Sequence, residues 1–170
     1  MKFSVLLSVY RKEQPAYLRQ SLDSIFTQTL QPAEVVLVKD GPLTDALDEV
    51  AEEYCRKYPV LKVVPLSENQ GLGRALNEGL KYCSYDLVAR MDTDDVAKPE
   101  RFEKQIAVFC AHPEMDVVGA WIDEFEGSIE NVISVRVLPL EHSEIRRFAR
   151  KRNPVNHPVV MFRKSAVLVA

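Results

Sequence analysis

The feature that most constrains this chain is the stretch from Asp86 to Asp95, where an apolar run leads into three carboxylates. Leu87-Val88-Ala89 has the character of a short buried strand, and Asp92, Asp94 and Asp95 follow closely. Negative charge concentrated at the end of a buried strand is unfavourable unless a cation lies beside it. We therefore expect a cationic ligand, in the first place a divalent metal ion, at these three residues, which we call the acidic cluster.

Composition limits the classes of protein that remain. The 170 residues suit one domain, and 46% hydrophobic with 28% charged residues is typical of a soluble globular protein. A net charge of −3 gives no indication of nucleic-acid binding. Three cysteines without a CxxC pair favour a reducing cytoplasm over a disulfide framework or zinc site. No stretch approaches the ~18 apolar residues of a membrane span, although association with the inner face of a membrane stays open.

Apolar runs alternate with segments of helical periodicity along the whole chain. The predicted strands are Phe3–Val9, Glu34–Val38, Leu61–Pro65, Tyr85–Met91, Met115–Trp121, Val132–Leu138 and Val159–Phe162. The predicted helices are Pro15–Gln28, Asp45–Tyr58, Leu72–Tyr82, Pro99–Cys110 and Glu141–Arg150. This alternation predicts an α/β fold with a mainly parallel central sheet flanked by helices. Such folds bind ligands in a crevice at the carboxyl ends of the strands.

Polar residues follow three of these predicted strands. They are Ser8-Val9-Tyr10, Lys39-Asp40-Gly41 and the acidic cluster, and a parallel sheet would bring them into one crevice. Oxygen ligands such as those of Asp92 and Asp94 suit Mg²⁺ or Mn²⁺, which can bridge the oxygens of a diphosphate. The alternative for the cluster is a solvated acidic turn that caps the helix starting near Pro99.

Two further segments carry their own hypotheses. The Asp40 carboxylate can accept a hydrogen bond from a nucleobase N–H, or it can simply close an Asx turn after its strand. Gly71 and Gly73 near a helix start suggest a phosphate cradle, although the segment lacks the dinucleotide-binding fingerprint. Arg74 would then face a base or phosphate, and the alternative is an ordinary surface arginine.

Together these segments resemble the family 2 inverting glycosyltransferases of the GT-A fold. The resemblance rests on Val5-Leu6-Leu7-Ser8-Val9-Tyr10, Val38-Lys39-Asp40-Gly41, Asn69 to Gly79, and Met91-Asp92-Thr93-Asp94-Asp95 with Pro99 and Arg101-Phe102. It implies a Rossmann-like nucleotide-diphospho-sugar transferase fold and transfer of a sugar, usually UDP-linked, with inversion. It also implies a divalent metal, Mn²⁺ or Mg²⁺, and a saccharide or lipid-linked acceptor in cell-surface polysaccharide synthesis. Pro42 departs from the family, which commonly has serine there.

The resemblance also implies roles for single residues. Ser8, Val9 and Tyr10 would line the base and ribose, Asp40 would bind the base, and Arg74 would lie near the nucleotide. Asp92 and Asp94 would hold ribose and metal. His157, within Arg152-Asn153-Pro154-Val155-Asn156-His157-Pro158, would face donor phosphate or acceptor, unless it is an ordinary turn histidine.

The family takes its general base from an acceptor half that follows the strand at Val159–Phe162, and nothing in this chain matches that motif. Arg163 to Ala170 begins a helix-like segment without a stop signal. We therefore expect residues 1–170 to be a single donor-binding domain of a longer protein. The general base would lie beyond Ala170, and the fragment could be inactive alone.

Two other classes of protein stay open. Asp92-Thr93-Asp94-Asp95-Val96 also fits the signature of haloacid dehalogenase-like phosphatases, in which the first Asp is a nucleophile. That family has its signature after the first strand, whereas here it follows the fourth. A nucleotide-binding fragment without activity is the remaining alternative. A sugar nucleotidyltransferase is disfavoured because Ser8-Val9-Tyr10-Arg11-Lys12 contains no glycine. The sequence does not specify the sugar, the acceptor, the linkage or the oligomeric state.

Overall fold

A computed structural model describes residues 1–169 of the chain. Its strands are β1 Phe3–Val9, β2 Glu34–Lys39, β3 Leu61–Pro65, β4 Leu87–Arg90, β5 Val117–Val118, β6 Ile122–Phe125, β7 Val132–Arg136 and β8 Met161–Arg163. Its helices are α1 Pro15–Phe26, α2 Asp45–Lys57, α3 Leu72–Tyr82, α4 Arg101–Ala111, α5 His142–Ala149 and α6 Lys164–Val169, with a 3₁₀ turn at His157–Val159. Among these residues, no helix combines the length and apolar character needed to cross a bilayer.

The main sheet has six strands in the order β3-β2-β1-β4-β8-β5. The first four run parallel, whereas β8 is antiparallel to both β4 and β5. β6 and β7 form a separate antiparallel hairpin. The predicted α/β fold with a mainly parallel sheet is confirmed, and the carboxyl ends of β1, β2 and β4 lie along one edge of it.

The core covers β1 on both faces, as its continuous apolar sequence predicts. Every residue of β1 is buried. Val5 and Leu7 pack with residues of α1, α2 and α4, while Leu6 packs on the opposite face with residues of α3. The buried strands therefore form a rigid platform, and the polar residues that follow them are held at its edge.

Gln28 shows why α1 ends earlier than predicted. The helix stops at Phe26, and the Gln28 side chain turns inward, where it is 4% exposed. Its amide donates to the Lys98 carbonyl at 2.8 Å, and its oxygen accepts from the Phe102 backbone N–H at 3.2 Å. Gln28 thus connects the end of α1 to the segment between the acidic cluster and α4.

The later part of the chain differs most from the sequence prediction. The strand expected over Met115–Trp121 is limited to Val117–Val118, because β5 pairs with β8 at two positions only. The strand Ile122–Phe125 was not predicted. β8 begins at Met161 rather than Val159, because a 3₁₀ turn containing Pro158 precedes it. Ala170, beyond which the general base is expected, lies outside the described residues.

Candidate active site

A cavity of about 450 Å³ opens at the carboxyl ends of β1, β2 and β4, beside the start of α3. It combines hydroxyl, amide and carboxylate groups from segments far apart in sequence. Its lining residues are Ser8, Tyr10, Glu13, Asp40, Asn69, Gly71, Leu72, Asp92, Thr93 and Asp94. The predicted convergence of polar strand ends in one crevice is therefore present in the structure.

Five of the predicted site residues lie in this cavity, namely Ser8, Tyr10, Asp40, Asp92 and Asp94. The other three lie elsewhere. The Val9 side chain is fully buried in the core, and its carbonyl accepts a hydrogen bond from the Asp40 N–H at 2.8 Å. The Val9 side chain therefore does not face the cavity, and its predicted contact with a base or ribose stays a prediction.

Arg74 and His157 are both exposed and do not line the cavity. Arg74 lies in the first turn of α3, so its contact with a nucleotide stays a prediction. His157 lies near the acidic cluster. Partial burial and the positive charge of Arg90 lower its pKa, and the Asp92 carboxylate opposes that effect. Its role also stays a prediction.

The acidic cluster presents three carboxylates to one point. One oxygen from each of Asp92, Asp94 and Asp95 lies within 4.8 Å of the others. Asp94 is exposed, whereas Asp95 is partly buried. Burial and repulsion from Asp92 and Asp94 raise the pKa of Asp95 to about 6. Hard divalent cations favour such a set of oxygen ligands.

The capping alternative for the acidic cluster does not fit this structure. α4 begins at Arg101, and the side chain of its N-cap residue Glu100 forms no capping hydrogen bond. The Phe102 N–H in its first turn donates to Gln28, not to a carboxylate of the cluster. The backbone of the cluster is instead held by other elements. Ser21 donates to the Asp92 carbonyl at 2.9 Å, and Thr93 donates to the Glu13 carboxylate at 2.9 Å. These bonds attach the cluster to α1 and to the loop after β1.

Two buried arginine side chains lie beside the acidic cluster, Arg90 from the end of β4 and Arg101 from the start of α4. The Arg90 side chain is 3% exposed, and its Nη2 lies 2.5 Å from Asp92 Oδ1. Arg101 is also buried, and its Nη2 donates to the Arg90 carbonyl at 2.6 Å. Burial lowers the pKa of Arg101 to about 10, so it remains charged at neutral pH. The sequence prediction treated Arg90 only as part of a strand, since its burial depends on tertiary packing.

The Asp40 carboxylate holds the loop that precedes α3. Its two oxygens accept hydrogen bonds from the backbone N–H groups of Gln70 at 2.7 Å and Gly71 at 3.0 Å. Gly41 makes this approach feasible. Its φ is +81°, and an added Cβ would lie 2.6 Å from the Asn69 nitrogen. Asp40 therefore has a structural role, and its predicted contact with a base stays a prediction.

This arrangement changes the expectation of a phosphate cradle at the glycines. The amides of Gln70 and Gly71 are committed to Asp40, so they are not the groups that would meet a phosphate. The first α-helical bond of α3 runs from the Ala75 N–H to the Gly71 carbonyl. The preceding amides, residues 72–74, are the ones that a helix N-terminus offers to an anion.

Sequence reasoning missed Glu13 and Asn69 as lining residues. Glu13 lies four residues after the end of β1, and no role in the site was predicted for it. Asn69 lies in the polar loop before α3, and its side-chain amide donates to the Asp40 carbonyl at 3.2 Å. The signal that could have found both is their position after a strand, at the same edge of the sheet as Asp40.

Comparison with known proteins gives an independent result. The family model described as Glycosyl transferase family 2 matches residues 4–168. The amylovoran biosynthesis glycosyltransferase AmsE of Erwinia amylovora is 48% identical over 168 residues, which cover 99% of this chain and 62% of that protein. The UDP-Gal:alpha-D-GlcNAc-diphosphoundecaprenol beta-1,3-galactosyltransferase of Escherichia coli is 36% identical over 167 residues, covering 98% of this chain and 60% of that protein.

Among solved structures, S. aureus TarS 1-349 in complex with UDP-GlcNAc superposes with a TM-score of 0.72 and 26% identity. The match covers 99% of this chain and 47% of that one. The chain thus spans about three fifths of the two curated relatives and about half of the solved one.

Proposed function

Because the chain belongs to glycosyl transferase family 2, we propose that it binds a nucleotide-sugar, in the first place a UDP-sugar, for transfer with inversion at the anomeric carbon. The acceptor would be a saccharide or a lipid-linked saccharide of a cell-surface polysaccharide. The observation that carries this proposal is one cavity shared by the acidic cluster, the Asp40 loop and the start of α3. Carboxylates for a cation and helix amides for an anion are what a metal-bound diphosphate requires.

The described residues fit a divalent cation. Asp92 and Asp94 would hold it, with the Asp95 carboxylate within reach of the same point. A bound Mn²⁺ or Mg²⁺ supplies positive charge that stabilises a departing diphosphate. The protein groups supply the orientation, because Thr93, Ser21 and Arg90 fix the segment that carries the cluster.

Nucleotide binding tests the donor site. We expect calorimetry to detect UDP binding that depends on Mn²⁺ and is lost in Asp94→Asn. Glu49→Gln, which neutralises an exposed acid on α2, should bind as the unsubstituted chain does. Failure of the unsubstituted chain to bind any nucleoside diphosphate with Mn²⁺ or Mg²⁺ would contradict the proposal.

We place the general base outside these residues. Three downstream carboxylates, Asp123, Glu124 and Glu126, were considered for this role, and none of them lines the cavity. Asp123 pairs with Lys98 at 2.5 Å, Glu124 pairs with Arg136, and Glu126 is exposed just after β6. The chain should therefore bind donor without turning it over onto an acceptor. Sugar transfer by residues 1–170 that is abolished by Asp123→Ala would show that this is wrong.

The acceptor side of the proposal includes contact with a membrane surface. The Escherichia coli relative is named for a diphosphoundecaprenol substrate. In this chain no residue of α5 is fully buried, and Arg146, Arg147 and Arg150 line a shallow cavity beside it. Positive charge of this kind attracts anionic lipid. We expect co-sedimentation with vesicles that contain phosphatidylglycerol and not with neutral ones, and equal binding to both would contradict it.

A further inference from the structure

Arg90 is a buried cation beneath the acidic cluster. It ends β4 after three apolar residues, and its side chain is 3% exposed. Its Nη2 lies 2.5 Å from Asp92 Oδ1. Within the described part of the chain, however, Nε, Nη1 and Nη2 make no hydrogen bond of good geometry. The guanidinium therefore interacts with Asp92 mainly through charge.

Such a residue is a poor choice for stability alone. Removing a guanidinium from water is strongly unfavourable, and a single acidic partner of imperfect geometry compensates for it only in part. An apolar side chain of similar volume would suit the buried end of a strand better. This cation lies against the Asp92 carboxylate of the candidate site, and that position indicates a functional role in the site.

We propose that Arg90 is a positioning residue for the donor site, a proposal that rests on the proposed function. By attracting Asp92 Oδ1, it fixes the orientation of that carboxylate so that Oδ2 is directed to the donor and its metal ion. Arg90 also makes the two aspartates differ in their surroundings. The Asp92 side chain is 28% exposed and paired with Arg90, whereas Asp94 is exposed. Arg101 contributes by holding the Arg90 backbone carbonyl at 2.6 Å.

The expected size of the effect follows from known outer-shell groups. Residues that orient a metal-binding side chain without touching the metal typically change affinity about 10- to 100-fold when they are substituted. Arg90→Met keeps the length of the side chain and removes its charge. We expect it to weaken Mn²⁺-dependent UDP binding at least about 10-fold, while thermal unfolding stays cooperative. Arg90→Lys should recover much of the loss, since it restores a cation near Oδ1.

The decisive test is a double-mutant cycle measured by calorimetry with UDP and Mn²⁺. Asp92→Asn, Arg90→Met and the double variant are compared with the unsubstituted chain. The double variant leaves no unpaired buried charge, so its comparison with Asp92→Asn still measures the effect of Arg90 if Arg90→Met alone folds poorly. If Arg90 acts through Asp92, adding Arg90→Met to Asp92→Asn changes the affinity less than about twofold.

Two outcomes would overturn the proposal. One is binding by Arg90→Met within twofold of the unsubstituted chain, and the other is fully additive losses in the cycle. A role in folding alone would lower the unfolding temperature of Arg90→Met without weakening its UDP binding. If the unsubstituted chain binds no nucleoside diphosphate, the proposed function itself fails, so the two failures are distinguishable.

Discussion

The acidic cluster should respond in opposite ways to two substitutions that look equivalent in the sequence. Asp94→Asn and Asp92→Asn each remove one negative charge from the same group of three. In metal-free protein we expect Asp94→Asn to raise the free energy of unfolding, because it relieves repulsion. We expect Asp92→Asn to lower it, because Arg90 then loses its anionic partner.

The magnitudes follow from distance and exposure. The carboxylate oxygens of the cluster lie within 4.8 Å of one another. At that distance two unit charges repel by about 1 kcal/mol in water and about 3.5 kcal/mol at an effective dielectric of 20. Asp94 is exposed, so the lower value applies, and a gain of about 1 kcal/mol corresponds to a Tm rise of about 2–4 °C. Breaking a buried ion pair costs about 3–5 kcal/mol. Partial exposure of Asp92 and the relieved repulsion reduce this to a net loss of about 2 kcal/mol, or about 4–8 °C.

Thermal unfolding by calorimetry at pH 7 in EDTA measures both effects, with Glu49→Gln as the matched control for loss of one exposed charge. A second series of measurements adds UDP and Mn²⁺. Ligand at 100 times its Kd should stabilise the unsubstituted chain by about 2.7 kcal/mol. It should stabilise Asp94→Asn and Asp92→Asn by clearly less. A lower Tm for Asp94→Asn in EDTA would refute the repulsion argument. Equal rises for both variants would refute the importance of the Arg90 pair.

Two further predictions concern the framework of the site. Gly41→Ala should lower Tm by several degrees and weaken UDP binding, since the added Cβ would lie 2.6 Å from the Asn69 nitrogen; calorimetry checks both. Burial opposes ionisation of Glu34, but hydrogen bonds from Lys62, Ser4 and Ser84 outweigh it and lower its pKa to about 2. This stabilisation, about 2 kcal/mol after allowing for the exposed Lys62, should be present above pH 4.5 and be lost towards pH 2. Urea unfolding of Glu34→Gln across that range should show the difference from the unsubstituted chain vanish.

Local patterns were sufficient to predict the half of the fold that carries the site. The apolar run Phe3–Val9 and the helical spacing after Pro15 depend on nearby residues only. β1 forms with the predicted bounds, and α1 starts at the predicted residue and ends two residues early. The insertion of β8 between β4 and β5 depends on pairing between residues more than 40 positions apart. No periodicity in the sequence encodes that choice of neighbour or its antiparallel direction.

The site shows a similar division. The sequence predicted which residue types stand after β1, β2 and β4, because the ends of parallel strands meet at one edge. It did not predict what those groups bind inside the protein. Asp40 uses both oxygens to hold the loop before α3, and Arg90 is buried against Asp92. Both facts depend on contacts between distant segments, which composition and spacing do not specify.

The late position of β8 has a consequence for folding during synthesis. β4 and the acidic cluster leave the ribosome about 70 residues before β8, which at typical elongation rates is roughly 4–14 s. A β4 strand that pairs with β1 as soon as both have emerged has an open edge during that interval, because β8 is its neighbour on the other side in the finished sheet. An unpaired edge next to clustered carboxylates is protected from pairing with other chains by like-charge repulsion. The carboxylates that suit a cation in the finished protein would then also reduce pairing of the nascent β4 edge with other chains until β8 is synthesised.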